Sequence, residues 1–182
     1  MATALICLAD GFEEIEAMAV VDVLRRGKVQ VVLGGVSGKT VKSARGVSVN
    51  SDCLLNDCLE TLYDCLILPG GEPGTTHLGQ SEAVSHLIQT HAKNQKWVAA
   101  ICAAPRVLHA AGVIADHTVT SYPSIKETLL NCDYSDSDVV VSEQIITSRG
   151  PGTAIHFALA ILEKIASPSI AQVVQEAMLV QI

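Results

Sequence analysis

Short apolar runs alternate along this chain with longer segments of helical periodicity. Ala4 to Leu8 is continuously apolar and predicts a buried strand, followed by the turn Ala9-Asp10-Gly11. Glu14 to Arg26 carries apolar positions at helical spacing, with Gly27 placed to close the helix at its C-terminal cap. Val29 to Leu33 predicts a second strand. Lys39 to Val49 is polar and β-branched, punctuated by Gly38 and Gly46, and predicts a hairpin or excursion. Cys65 to Leu68 is a short buried strand running into Pro69-Gly70-Gly71. Glu82 to Ala92 reads as a helix, Trp97 to Ile101 as a strand, and Pro105 to Ala111 opens another helix. Thr118 to Ser121, Val139 to Ser142 and Ile145 to Thr147 are further strands, and Thr153 to Ala166 and Ile170 to Val180 are closing helices. Strands apolar on both faces and separated by helices indicate a mostly parallel sheet covered on both sides, a three-layer α/β sandwich. No repeat, low-complexity tract or linker interrupts the pattern, so residues 1–182 are expected to form one domain.

Composition narrows the function classes. The 182 residues are 49% hydrophobic and 17% charged, which excludes intrinsic disorder. A net charge of −7 and aromatics at only 3% argue against a nucleic-acid groove, which needs cationic phosphate contacts and stacking rings. No apolar stretch reaches the about 18 residues of a spanning helix. The N-terminus has no basic segment, and Asp10 cuts its apolar run short, so no secretory signal is read there. A cytoplasmic protein with reduced thiols is expected. Of its cysteines, Cys7, Cys53, Cys58, Cys65, Cys102 and Cys132, no two are spaced Cys-x-x-Cys, and most are expected to be small buried hydrophobes. The histidines have no paired ligand spacing, and no metal or other cofactor is expected. Gly38-Lys39-Thr40 resembles the tail of a phosphate-binding loop, but Leu33 stands where its first glycine belongs.

In open parallel sheets, ligands bind beyond the carboxyl ends of the strands. Three such ends carry unusual sequence: the segment leading to Glu13, Glu14 and Glu16, the run Pro69 to Gly74, and Cys102-Ala103-Ala104-Pro105. Cys102 joins a strand directly to a helix opened by Pro105, a sharp turn that exposes the sulfur at the sheet edge. The helix N-terminus favours thiolate there. A buried, inert strand-end cysteine is the plainer alternative. Helical spacing puts Glu16 on the apolar face with Val20 and Val23, where desolvation raises a carboxyl pKa. Placement merely to complement the helix dipole is the alternative. Glu14 falls on the opposite face with Met18 and Arg25 and is expected in solvent. Backbone N–H groups of Gly71 and Ala103, with Gly70 beside them, are candidates for an oxyanion hole, against an ordinary tight turn.

Four blocks, Ala9 to Ala17, Leu68 to Gly71, Ala99 to Pro105 and Thr147 to Thr153, together resemble the ThiJ/PfpI superfamily, and within it the branch of the Parkinson-associated protein DJ-one and its bacterial relatives. The resemblance runs essentially end to end. It implies a flavodoxin-like sandwich, akin to class I glutamine amidotransferases, and a homodimer. It maps the reactive cysteine to Cys102, the glutamic acid beside it to Glu16, and the oxyanion amides to Gly71 and Ala103. An anion-binding arginine maps to Arg45 and a dimer-interface arginine to Arg26. Two departures stand out. Ala103 replaces the histidine that follows the nucleophile in protease and amidotransferase branches, which disfavours a peptidase or amidase. Tyr122 replaces a histidine that the DJ-one branch often carries near the cysteine, leaving Glu16 as the acid/base candidate. The implied activity is a cysteine-dependent glyoxalase or protein deglycase. Its substrates are methylglyoxal and glyoxal, or their early adducts on proteins or nucleotides, and its products lactate or glycolate. The alternative is a redox-sensing cysteine protein or chaperone without obligatory turnover.

Overall fold

The computed structural model describes residues 1–181. Its elements in chain order are β1 (Thr3–Leu8), α1 (Glu14–Arg26), β2 (Gln30–Gly35), β3 (Thr40–Lys42), β4 (Ser48–Asn50), β5 (Cys53–Leu54), β6 (Cys65–Leu68), α2 (Gly74–Gln80), α3 (Glu82–Lys93), β7 (Trp97–Ile101), α4 (Pro105–Ala110), β8 (Thr118–Val119), β9 (Asp133–Tyr134), β10 (Val139–Ser142), β11 (Ile145–Ser148), α5 (Ala154–Ile165) and α6 (Pro168–Ala177). Short 3₁₀ turns cover Leu55–Cys58, Pro123–Thr128 and Pro151–Thr153. Seven strands form the central sheet in the order β10-β11-β7-β6-β1-β2-β5. All neighbours are parallel except β10 and β11. This is the mostly parallel, helix-flanked α/β architecture that the apolar strands predict.

The pleat explains why these strands are apolar throughout. Ala4, Ile6 and Leu8 of β1 pack toward Val20, Val23 and Leu24 of α1 and Phe157 and Ile161 of α5. Leu5 and Cys7 face the other way, toward Val84, Leu87 and Ile88 of α3 and Leu108 of α4. With both faces covered, a period-2 alternation has no solvent side to mark.

The chain runs from β1 outward through β2 to β5, then returns to lay β6 on the other side of β1 and continues to β7 and β11. The loops after β1 and β6 therefore diverge. Divergence at the carboxyl ends opens a crevice at this switch point.

Several expectations are corrected. Gly27 is the C-cap of α1 as expected, but at φ −74° it does not use glycine's left-handed freedom, which falls to Lys28 at φ 61°. Gly27 is needed instead for space, because a side chain there would strike Leu162 of α5. Glu14 is not simply solvated, since its Oε2 is buried and without a hydrogen-bond partner. The two-residue strands β5 and β9 are too short to carry a periodic signal; pairing with β2 and β8 creates them. The strand begun at Thr118 stops at Val119. Thr120 leaves it to donate its backbone N–H to Thr147 Oγ1 at 2.9 Å. Helix α2 was hidden by Gly74-Thr75-Thr76, poor helix formers that tertiary packing overrides.

Candidate active site

Cys102 follows β7 directly and stands two residues ahead of Ala104, the N-cap of α4. Its φ is 64°, a left-handed conformation that costs a residue with a Cβ of order 1–2 kcal/mol. Packed neighbours hold it there. The Cys102 N–H donates to Ser148 O at 2.9 Å, and the Tyr122 N–H donates to Cys102 O at 2.8 Å. Such strain is kept at functional positions when the surroundings over-determine it. The turn leaves the Cys102 side chain half-buried at the edge of the sheet.

Glu16 enters from α1 and is 0% exposed. It is aimed by its own helix start: Glu13, the N-cap of α1, accepts the Glu16 N–H on Oε2 at 2.8 Å. The Gly70 N–H donates to Glu16 Oε2 at 2.7 Å. Glu16 Oε1 is buried and has no partner that meets hydrogen-bond geometry. Gly70 is the hinge of this arrangement. A Cβ built on it would lie 2.6 Å from Cys102 Cβ and 2.8 Å from Glu16 Oε2, so only glycine lets sulfur and carboxyl approach. Gly71, at φ 91°, turns its chain so that its amide faces the Cys102 sulfur together with the amide of Ala103.

Burial pushes the Glu16 carboxyl up to about 7, against the lowering effect of the Gly70 and Cys102 hydrogen bonds. Burial, and then the charge of an ionised Glu16, push the Cys102 thiol up to about 12, while the Ala103 and Gly71 amides pull it down. The expected thiolate, generated by a helix terminus alone, is thus corrected. Desolvation outweighs the terminus, and α4 is only 6 residues long. Two charges side by side in this buried space are excluded near neutral pH, so the pair keeps at least one proton. Ionised Glu16 is met by the Gly70 N–H and faces the Cys102 thiol, whereas charge on sulfur is met by the Gly71 and Ala103 amides. The first proton therefore leaves Glu16, and the remaining one stays on the Cys102 thiol.

The structure brings Cys102, Glu16, Gly70, Gly71 and Ala103 together. Arg45 is exposed in the β3–β4 turn, and no ion pair or hydrogen bond of its side chain occurs among the described residues. Its turn is nonetheless tied to the site, because the Ala44 N–H donates to Phe12 O at 2.8 Å, next to Glu13. Arg26 is exposed and pairs with Asp22 at 2.8 Å. Tyr122 is 47% exposed and its ring lies across Gly150. Two contributors escaped the sequence reading. Glutamate is an uncommon N-cap, so Glu13 gave no capping signal. Ser148 acts through a backbone carbonyl, which side-chain patterns do not report. Beside the cluster, Arg106 of α4 pairs with Glu72 and donates to Thr76 Oγ1 at 2.9 Å, bracing the loop after Gly71. His91, by contrast, is a satisfied core residue: it accepts the Tyr63 N–H at 3.3 Å and its Nδ1 lies 2.8 Å from Leu87 O.

Comparison with known proteins covers nearly the whole chain. The model of the DJ-1/PfpI family matches residues 2–164. Protein dj-1beta of Drosophila melanogaster is 41% identical over 98% of this chain and 97% of its own length. The glutathione-independent glyoxalase DJR-1.2 of Caenorhabditis elegans is 40% identical over 86% of this chain and 84% of its own. The crystal structure of Drosophila DJ-1beta superposes with a TM-score of 0.97, covering 100% of this chain and 99% of that one at 40% identity.

Proposed function

The chain belongs to the DJ-1/PfpI family, and from that premise we propose that it is a cysteine-dependent glyoxalase and protein deglycase. Its substrates in this reading are methylglyoxal and glyoxal, or their early adducts on protein and nucleotide amino groups. The observation that carries the reading is the buried Glu16 carboxyl held beside the half-buried Cys102 sulfur across Gly70, with the Gly71 and Ala103 amides facing the sulfur and no histidine in this cluster of described residues. A glyoxalase among the 40% identical relatives supports the reaction class.

Cys102 Sγ attacks the aldehyde carbon and forms a hemithioacetal. The amides of Gly71 and Ala103 hold the developing oxyanion. Glu16, as carboxylate, takes the thiol proton as sulfur attacks and passes it to the hemithioacetal oxygen; it then takes the proton from the former aldehyde carbon and returns it to the neighbouring carbon, while the hydroxyl proton shifts to the neighbouring oxygen, leaving a thioester. Water cleaves the thioester, releasing lactate from methylglyoxal or glycolate from glyoxal and restoring the thiol. No cofactor enters this sequence. The working unit is a cytoplasmic homodimer. Exposed Ile15, at the start of α1, and exposed Val47, in the β3–β4 turn, offer apolar surface for the second copy. Arg45, in the same turn, is the anion-attracting residue of this reading. The test is lactate formation from methylglyoxal by the natural chain and by Cys102→Ala. Loss of turnover in the variant is expected; equal rates overturn the mechanism.

A second reading, redox sensing at Cys102, draws on the orphaned Glu16 Oε1, which as a carboxylic acid can donate to a sulfinate oxygen. Mild peroxide followed by intact mass separates the two. Two oxygens added at Cys102 in a protein with no dicarbonyl turnover favour the sensor.

A further inference from the structure

A second thiol site stands away from Cys102. Cys53 of β5 and Cys58, at the end of the 3₁₀ turn that follows, have their sulfurs 2.9 Å apart. Cys58 is buried, and Cys53 is partly exposed. Each thiol also points at a backbone carbonyl: Cys53 Sγ lies 3.8 Å from Leu33 O, and Cys58 Sγ lies 3.9 Å from Leu54 O. Reaching the about 2.05 Å of a disulfide takes less than an ångström of further approach. β5 is the edge strand of the sheet and lies four places from β7, which carries Cys102 at its end. At about 4.8 Å per strand, the two sites are about 19 Å apart.

We propose that Cys53 and Cys58 form a dithiol/disulfide modification site that hydroperoxides close, independently of Cys102. The chemistry balances in two steps. The partly exposed Cys53 sulfur attacks the peroxide O–O bond, becomes a sulfenic acid and releases an alcohol or water, so that sulfur loses two electrons and the peroxide gains them. Cys58 sulfur then displaces the hydroxyl from Cys53. The S–S bond forms, the S–O bond breaks, and the Cys58 proton leaves with the hydroxyl as water.

The surroundings set the rate. Burial first, then the hydrogen bond and charge of Cys58, hold the Cys53 thiol up to about 12. Only a thiolate attacks peroxide readily, so closure is slow at neutral pH and accelerates about tenfold per pH unit. Cys7, fully buried on β1, is the neighbouring thiol that competes for Cys58.

The test treats the full chain with hydrogen peroxide between pH 7 and 9, blocks remaining thiols under denaturing conditions, and maps the products by mass spectrometry. Loss of two hydrogen masses within the segment holding Cys53 and Cys58 is expected, reversed by dithiothreitol. It is expected to persist in Cys102→Ser and Cys65→Ser and to vanish in Cys53→Ser. Cys58→Ser is the reciprocal control, and the half-exposed Cys53→Ser keeps the test decisive if the buried variant does not fold. Oxygen added to Cys53 without closure, a bridge to Cys7, or loss of the bridge in Cys102→Ser overturns the proposal.

Discussion

Glu16→Gln separates what the buried carboxyl does for the reaction from what it costs the fold. Moving this carboxyl from its ordinary 4.5 to about 7, at about 1.4 kcal/mol per pH unit, amounts to about 3 kcal/mol. The folded-state value lies above the unfolded one. The protonated carboxyl's contribution is therefore complete below 4.5 and is lost as pH rises through about 7. Glutamine keeps an acceptor for the Gly70 N–H and carries no charge to bury. At pH 8 the variant is expected to exceed the natural chain by about 3 kcal/mol, or roughly 6–12 °C in Tm for a chain of this size. At pH 4 the two should nearly coincide. The assay is thermal unfolding by circular dichroism from pH 4 to 8, read as the difference between the two proteins so that other titrating groups cancel. A constant difference across that range, or a variant less stable at pH 8, refutes the burial argument. Lactate formation should fall in the same variant, because an amide cannot carry the proton.

Activity should rise with pH through about 7, roughly tenfold per unit below it, as the doubly protonated Cys102–Glu16 pair loses its first proton; a flat kcat/KM profile from pH 5.5 to 8 contradicts the shared-proton site. Gly70→Ala should abolish turnover and destabilise by about 1–3 kcal/mol, since the new methyl meets Cys102 Cβ at 2.6 Å; near-normal kinetics would show that the site has room. Lys28→Gly, relieving φ 61°, should stabilise by up to about 1 kcal/mol in urea without touching kcat. Gly27→Ala should lose about 1–3 kcal/mol through its clash with Leu162.

The elements were legible where local chemistry and tertiary demand agree. Cys65–Leu68 and Trp97–Ile101 are strands over the very residues their apolar runs mark. Glu14–Arg26 is helical because apolar spacing and the charges at its two ends point the same way. Cys102 and Glu16 were legible as candidates because a strand-cysteine-proline junction and a carboxylate on an apolar face are both anomalies. Conflicts between local preference and environment mark special positions.

What the chain alone determined is therefore the alternation of buried strands with amphipathic helices, and hence a sheet covered on both faces. It also determined which two side chains break the rules of that pattern. Only the tertiary structure decided what those side chains become. The strand order sets β1, β6 and β7 side by side, so a carboxyl from α1 meets a sulfur after β7 across Gly70. Desolvation then made Cys102 and Glu16 one ionising unit, where the helix terminus by itself argued for an independent thiolate. The same distinction governs Gly27, Cys53 and Cys58, whose meaning lies in neighbours distant along the chain or in a short turn without a periodic signature. Burial and non-local contact are properties of the packed molecule, and a pattern of residues fixes them only through the fold.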